Sequence, residues 1–483
     1  MPPAKTQATL VIDQGTSSTK VFLFDSANHV VFKTSEKHFL KYPKPKHVEV
    51  DALSIAYTCK KLMGQAVNFS REKNIQISAA GVALQRSTFL FWDRKTLKPL
   101  TPALSWQDGR ATDIVKQINN YSETIFKTTG APLNSHFGGP KFSHLVNRSD
   151  TLRKKAKDGT AVFGSISSFL TQFITGNCLI DETIASRFTM MNLDTCRWED
   201  GLLDLFGASP NCLPELVSPV YDFGVIDLNG LKIPLCLVIG DQQAALIGQG
   251  GFVPGSVAMN FGTSGSVQVN AGQNTAHVDG LISSVLFSDD SERHYLLEGT
   301  INACNSLFYQ LEEELGIPHK DMQWHKRCEN TETGGVFIPA ASGIAAPYWT
   351  DHLKPVSEGF GDDFPNEIIR AGMESIGFLV HDIWTLAKTY LDTLPEKVMV
   401  SGGGGRPPLL QFISDLTGLN VNHSIMKDRT AFGVHALLTK SQTGNWPYIK
   451  VETDDGYTPI MDQKIKMEKL ERWKLALIKA GVI

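Results

Sequence analysis

The chain has 483 residues, 42% hydrophobic and 20% charged, with 46 basic and 50 acidic side chains and a formal net charge of −4. That is ordinary globular composition, long enough for two or three domains with cores of their own, and it excludes a disordered, collagenous or coiled-coil chain. The charge balance lacks the basic bias of a nucleic-acid surface, and no stretch reaches the roughly 18 apolar residues of a membrane span.

Taken in order, the elements have an α/β texture. Thr9–Ile12 is a strand, Gln14–Ser18 a turn, and Lys20–Asp25 a second strand. Ala80–Leu84 is a strand ending at Gln85-Arg86-Ser87. Ile233–Ile239 is a buried strand that meets Gly240-Asp241 and a helical run from Gln242. Val257–Phe261, the turn Gly262–Gly265 and Ser266–Asn270 repeat the strand-turn-strand pattern. Asn366–Leu394 reads as the clearest helix, because Ile369, Met373, Ile376, Val380, Ile383 and Ala387 form one apolar stripe. Lys397–Val400 is a strand, Gly402–Gly405 a glycine loop and Pro407–Leu416 a helix, with Pro407 suited to its first turn and Gly418 to its end.

Asp13-Gln14-Gly15-Thr16-Ser17 and Asn260-Phe261-Gly262-Thr263-Ser264 are similar Gly-Thr-Ser turns about half a chain apart. Duplication or chance explains the echo. Duplication would give two similar halves facing one cleft, 1–239 and 240–483. The seven cysteines (Cys59, Cys178, Cys196, Cys212, Cys236, Cys304, Cys328) contain no C-x-x-C pair and are odd in number. They read as reduced thiols of a cytosolic protein. The apolar run Ala8–Ile12 meets Asp13 too early for a signal segment. The expectation is a soluble cytoplasmic protein without a nucleic-acid or membrane partner.

Several residues invite chemistry. Gly-Thr-Ser turns can cradle phosphate oxygens with backbone N–H groups and hydroxyls. Asp13 opens the first turn, where a carboxylate beside phosphates commonly holds Mg²⁺. A plain hairpin with a solvated aspartate is the bland alternative. The glycine run 402–405 lets a backbone approach a nucleotide at a helix N-terminus, or is merely a flexible loop. It is neither a Walker A motif nor a dinucleotide fingerprint. Asp241 follows a buried strand, where ligands bind in parallel α/β sheets. It could take a proton from a hydroxyl, or simply cap its helix. Arg86 could bind hydroxyls or pair with a surface acid, and Trp106 could stack on a ligand or fill a core gap. His136, His144, His294 and His381 lack metal-ligand spacing.

Together these pieces resemble the FGGY carbohydrate kinases, and within them most the glycerol kinase branch. The resemblance runs in order over nearly the whole chain: Asp13–Lys20 (DQGTSSTK), Tyr42–Pro45 with His47–Asp51, Leu84–Thr88 (LQRST), Ser105–Arg110 (SWQDGR), Gly240–Leu246 (GDQQAAL), Phe261–Gly265 (FGTSG), Ala346–Trp349 (APYW), Glu374-Ser375-Ile376 and Ser401–Asp415. It implies two actin-like, ribonuclease-H-like domains around a cleft for ATP and a small polyol or sugar, and a homodimer. It implies Asp241 as catalytic base, Asp13 at a Mg²⁺ site, and Gly15, Thr16, Ser17, Lys20, Gly262, Thr263, Gly402, Gly403 and Gly404 around the nucleotide. It places Arg86, Ser87, Trp106, His136, Asp241, Gln242 and Ser266 around the acceptor.

The chain departs from that family at several positions. Ser87 stands where glycerol kinases have a hydroxyl-binding glutamate, His136 where they have a tyrosine, and Ser266 where they have a phenylalanine. Pro407 and Ser401 replace an asparagine and an aspartate at the adenine end, and His144 replaces a signature tryptophan. The implied pocket is larger and wetter than one shaped for three carbons, so a tetritol, pentitol or ketopentose rivals glycerol. A catalytically weak sugar- or nucleotide-binding regulator, or an actin-like ATPase, is the reading without that chemistry.

Overall fold

The computed structural model describes residues 6–338, 343–350, 353–448, 451 and 453–483. One sheet contains β1 (Thr6–Gln14), β2 (Ser18–Asp25), β3 (Val30–Lys37), β4 (Ile75–Leu84), β5 (Val225–Leu228) and β6 (Leu231–Gly240), in the order β5-β6-β4-β1-β2-β3. β1, β2 and β3 form an antiparallel meander, and β4 and β6 add in parallel. The crossover from β3 to β4 is α1 (Ala52–Glu72). Asp51 caps it by accepting from Ser54 N, and Ile55, Cys59, Leu62, Met63 and Ala66 make its buried stripe.

A second sheet contains β7 (Val257–Phe261), β8 (Gly265–Gly272), β9 (Ile282–Ser288), β10 (Arg293–Ile301), β11 (Lys397–Ser401), β12 (Asn420–Ser424) and β13 (Thr453–Tyr457), in the order β9-β10-β8-β7-β11-β12-β13. Here β7, β8 and β10 are antiparallel, and β11 and β12 run parallel to β7. Each sheet thus places a hairpin and a third antiparallel strand on one side and two parallel strands on the other. That arrangement, seen twice, is the two-domain actin-like, ribonuclease-H-like α/β fold. The Gly-Thr-Ser echo falls on equivalent hairpin turns, β1/β2 and β7/β8.

A core cluster lies between the sheets. Val11, Phe22, Ala83 and Ile239 enter it from the first sheet and Ala258, Phe287 and Leu296 from the second. Ala244, Leu246, Val434 and Leu437 enter it from α2 (Asp241–Ile247) and from a later helix over Arg429–Thr443. That helix also reaches the first sheet, where a Cβ on Gly81 would come within 2.6 Å of Val434. It meets α2 backbone to backbone. A Cβ on Gly433 would lie 1.8 Å from the Ala244 carbonyl oxygen, and one on Gly248 1.8 Å from that of Arg429.

The long helix α3 spans Phe364–Ala387, not 366–394. Its apolar stripe stops at Ala387, and Lys388–Tyr390 continues as a short 3-10 turn with no buried residue. The next helix, α4 (Pro407–Thr417), starts on its proline and ends on Gly418 in the left-handed region. The helix over Arg429–Thr443 is α5 below. Among the described residues, no helix is long and apolar enough to cross a membrane.

Candidate active site

Strand register builds the site. Gln14 of β1 pairs with Leu84 of β4, and Leu84 with Gly240 of β6. Three strand ends therefore lie side by side, and Asp13, Arg86 and Asp241 emerge at one edge. Asp13 sits opposite Lys20 in the hairpin, and Lys20 Nζ lies 3.3 Å from Asp13 Oδ2. Burial pushes the Asp13 carboxyl above its ordinary range, with Lys20 opposing. Gly15 N donates to Ser18 O at 2.9 Å and closes the turn. Lys20 also lies 3.8 Å from Asp428, which binds Lys33 at 2.6 Å. Beside it at the start of α5, Arg429 Nη2 donates to Asn260 Oδ1 at 2.8 Å. The start of α5 thereby touches the neighbourhood of both Gly-Thr-Ser turns.

Asp241 is the first residue of α2, one position past a cap at which Gly240 offers no side chain. Its Oδ1 accepts from Gln242 N at 2.8 Å and lies 3.8 Å from Arg86 Nε. Burial pushes its carboxyl up to about 6; Arg86 opposes this, while Asp13 and Glu298 add to it. Arg86 does not pair with a surface acid. Its Nη1 and Nη2 each donate to Glu298 at 2.7 Å, and Glu298 is 2% exposed. Arg187 Nη2 donates to the same carboxylate. Burial would raise the Glu298 carboxyl, but the two guanidiniums overcome it and hold it at about 2.

The remaining expected pocket residues are spread around this cluster. Ser87 is buried at φ +59, in the left-handed region. Lys141 Nζ donates to Ser87 O at 2.9 Å and Ser105 O at 2.7 Å, tying the loop after β4 to the Trp106 loop. Burial lowers the Lys141 ammonium to about 7. Trp106 fills no core gap: it is 37% exposed, and its Nε1 donates to Thr16 Oγ1 at 2.9 Å. Ser266 is buried, and its hydroxyl has no partner among the described residues. Gln242 O accepts from Gln268 Nε2 at 3.4 Å. His136 is exposed, with its N–H on Asn134 Oδ1 at 3.0 Å. The adjacent Phe137 ring lies 5.9 Å from the Arg187 guanidinium.

On the second sheet the glycine loop folds against the second hairpin turn. Gly404 N donates to Phe261 O at 2.8 Å. Gly402 has φ +93, and a Cβ there would lie 2.3 Å from Phe261 O. Only glycine meets both conditions. Gly403 has open space around it, and Gly262 and Thr263 are part-buried and exposed respectively. Ser401 faces inward, donating to Met259 O at 3.2 Å and Asn260 Oδ1 at 3.4 Å.

Sequence reasoning missed Glu298, Arg187, Lys141 and Arg429. The one available signal for Glu298 was a lone acid in the apolar run Tyr-Leu-Leu-Glu-Gly. For the other three, no spacing or motif announces the contact.

The FGGY family of carbohydrate kinases matches this chain twice, its N-terminal domain over residues 8–248 and its C-terminal domain over 257–440. Glycerol kinase 1 of Thermotoga maritima is 32% identical over 97% of this chain and 99% of its own length. The glycerol kinase of Leifsonia xyli is 30% identical over 97% of both. The crystal structure of Plasmodium falciparum glycerol kinase with ADP superposes with a TM-score of 0.89 at 29% identity, covering 99% of this chain and 98% of that one. Xylulose kinase from Lactobacillus acidophilus, 20% identical, shares the fold at a TM-score of 0.83 over 98% and 97% of the chains.

Proposed function

The chain belongs to the FGGY family of carbohydrate kinases, which phosphorylate a small polyol or sugar at the expense of ATP, and on that premise we propose that Asp241 is the general base of the transfer. The observation that carries this is the placement of a part-buried carboxylate at the joint end of three strands, 3.8 Å from Arg86, where desolvation pushes its pKa up to about 6. A base near that value is ionised at neutral pH yet basic enough to accept a hydroxyl proton as it is lost. The acceptor hydroxyl hydrogen-bonds to Asp241, its oxygen forms the bond to the γ-phosphorus, and its proton passes to the carboxylate as the bond to the ADP oxygen breaks. Arg86 orients the acceptor. The hairpin turns at Gly15–Ser17 and Gly262–Thr263, with the loop at Gly402–Gly404, hold the phosphates with their hydroxyls and with backbone N–H groups other than those of Gly15, Gly262 and Gly404, which close the turns and the loop. Little covalent chemistry is asked of the protein beyond positioning and charge neutralisation.

A Mg²⁺ ion fits at Asp13. This carboxylate is buried with one ammonium beside it, and such ions are held by one or two carboxylates plus substrate phosphates. When bound, the ion neutralises phosphate charge. The domain division at residue 240 and a cytoplasmic homodimer belong to the same proposal; the seven free thiols support the reducing compartment.

Glycerol is the first acceptor to test, given the relatives. A more hydroxylated acceptor is the second reading, and a specific observation favours it. The Ser266 hydroxyl and Arg187 Nη1 are buried without partners among the described residues, and buried polar atoms ordinarily find one. The deciding experiment is ADP release with Mg-ATP across glycerol, erythritol, ribitol, arabitol, xylulose and ribulose. The highest kcat/KM on glycerol establishes a glycerol kinase. A clear preference for a longer acceptor assigns those orphaned groups to its extra hydroxyls. ATP turnover that ignores every acceptor overturns the proposal and favours an actin-like ATPase.

A further inference from the structure

We propose that Glu298 is the positioning residue that holds Arg86 off the base and, with Arg187, latches the two sheets together. The inference rests on the reading of Asp241 and Arg86 as the acceptor site.

Glu298 lies on β10 of the second sheet, opposite Gln268 of β8 and Ile282 of β9. Strand alternation puts it on the face that carries Thr300, whose partner is Ser266. Its neighbour Gly299 faces the other way, where a Cβ would lie 2.4 Å from Ile383 of α3. Packing on that side fixes the strand and hence the carboxylate. Arg86 comes from the end of β4, and Arg187 follows a short helix over Glu182–Ala185. Both arginines precede the second sheet in sequence. The three side chains therefore join parts of the chain more than 100 residues apart, and the group is almost wholly desolvated: Arg187 and Glu298 are each 2% exposed.

A guanidinium offers five N–H donors in a rigid fork. Glu298 takes one from each Nη of Arg86 in bidentate geometry, which fixes both distance and plane. The Nε edge is left turned toward Asp241 at 3.8 Å, close but not hydrogen-bonded. Asp241 is the nearest alternative carboxylate for Arg86. Without Glu298, Arg86 would close onto it, tying up the base and the space the acceptor needs. Arg187 completes the balance: two guanidiniums meet two carboxylates, so the buried cluster is neutral. Removing one member of such a cluster leaves a charge uncompensated.

The test is steady-state kinetics and pH profiles of Glu298→Gln and Glu298→Asp beside Asp241→Asn, with ADP affinity as the measure of an intact nucleotide side. For Glu298→Gln, the KM for the acceptor is expected to rise about tenfold or more, with ADP affinity changed less than twofold. Its acid limb of kcat/KM should move to lower pH, because a freed Arg86 and a lost neighbouring negative charge both favour ionised Asp241. Loss of the charge alone would move that limb without raising the acceptor KM, so the rise in KM carries the positioning role. Glu298→Asp keeps the charge but shortens the reach. It should raise the acceptor KM while leaving the limb near its wild-type position, and it decides the matter if Glu298→Gln fails to fold. Wild-type acceptor KM in Glu298→Asp, or an unmoved limb in folded Glu298→Gln, overturns the inference. If Asp241→Asn itself keeps near-normal kcat, the reading of the site has failed instead.

Discussion

In the proposed mechanism Asp241 concentrates the chemistry into one side chain. Replacing it with asparagine should keep the fold and lower kcat by about 10²–10⁴, the usual weight of a positioned general base; a near-normal kcat would remove it from that role. Its raised pKa makes a second, independent prediction. Burial stabilises the protonated form, so the carboxylate form that the proposed base role requires is present above about pH 6 and lost below it. The profile of kcat/KM should therefore fall about tenfold per pH unit on the acid side, with its bend near 6. A bend at the ordinary aspartate range near 4 would mean that desolvation does not raise Asp241 or that a different group limits the reaction. At this scale the sequence located Asp13, Arg86 and Asp241 but left each with a bland alternative. Whether Asp241 capped its helix depended on the helix starting one residue earlier than expected. Whether Arg86 met a surface acid depended on Glu298, which lies 212 residues away.

Two glycine contacts set how the elements meet at the site. α2 and α5 both begin there, at Asp241 and Arg429, and they touch through Gly248 and Gly433. Gly433→Ala places a methyl against backbone that has nowhere to go. It should lower unfolding stability by about 1–3 kcal/mol or more, as overpacking does, and weaken catalysis by spreading the two helix starts. Chemical denaturation and kcat on the same variant check this; an unchanged midpoint would mean the helices separate freely. Gly402→Ala meets both a backbone oxygen and a positive φ. It should raise the KM for ATP more than that for the acceptor, since the loop rests on Phe261 beside the second hairpin turn. An equal rise in both would place the loop elsewhere in the reaction. The strand-turn-strand units and α4 were legible because alternation, glycine and proline act locally. The end of α3 was overrun because residues 388–394 carry no strong breaker before Pro395, while burial ends at Ala387.

Across the whole molecule, burial protects the thiols. Cys59, Cys196, Cys212, Cys304 and Cys328 are buried and Cys178 and Cys236 partly so. Burial pushes the Cys59 thiol up to about 12 and Cys178 up to about 11. A thiol reagent at pH 8 should therefore modify at most two of the seven quickly in the native protein and all seven after unfolding. Rapid modification of more would contradict the packing of both cores. The family resemblance and the echo of two turns could be read from the chain alone, the echo by itself leaving duplication and chance open, because short motifs carry backbone requirements that hold wherever they fold. Gly15-Thr16-Ser17 and Gly262-Thr263-Ser264 need tight hairpin turns, and Asp241 needs a strand before it and a helix after it. The Arg86–Glu298–Arg187 cluster, the Lys141 tie between Ser87 and Ser105, and the contact of Arg429 with Asn260 had no such local signature. Each joins side chains whose separation along the chain bears no relation to their separation in space. Only strand register and the packing of two sheets on a shared core bring those charges within reach of one another.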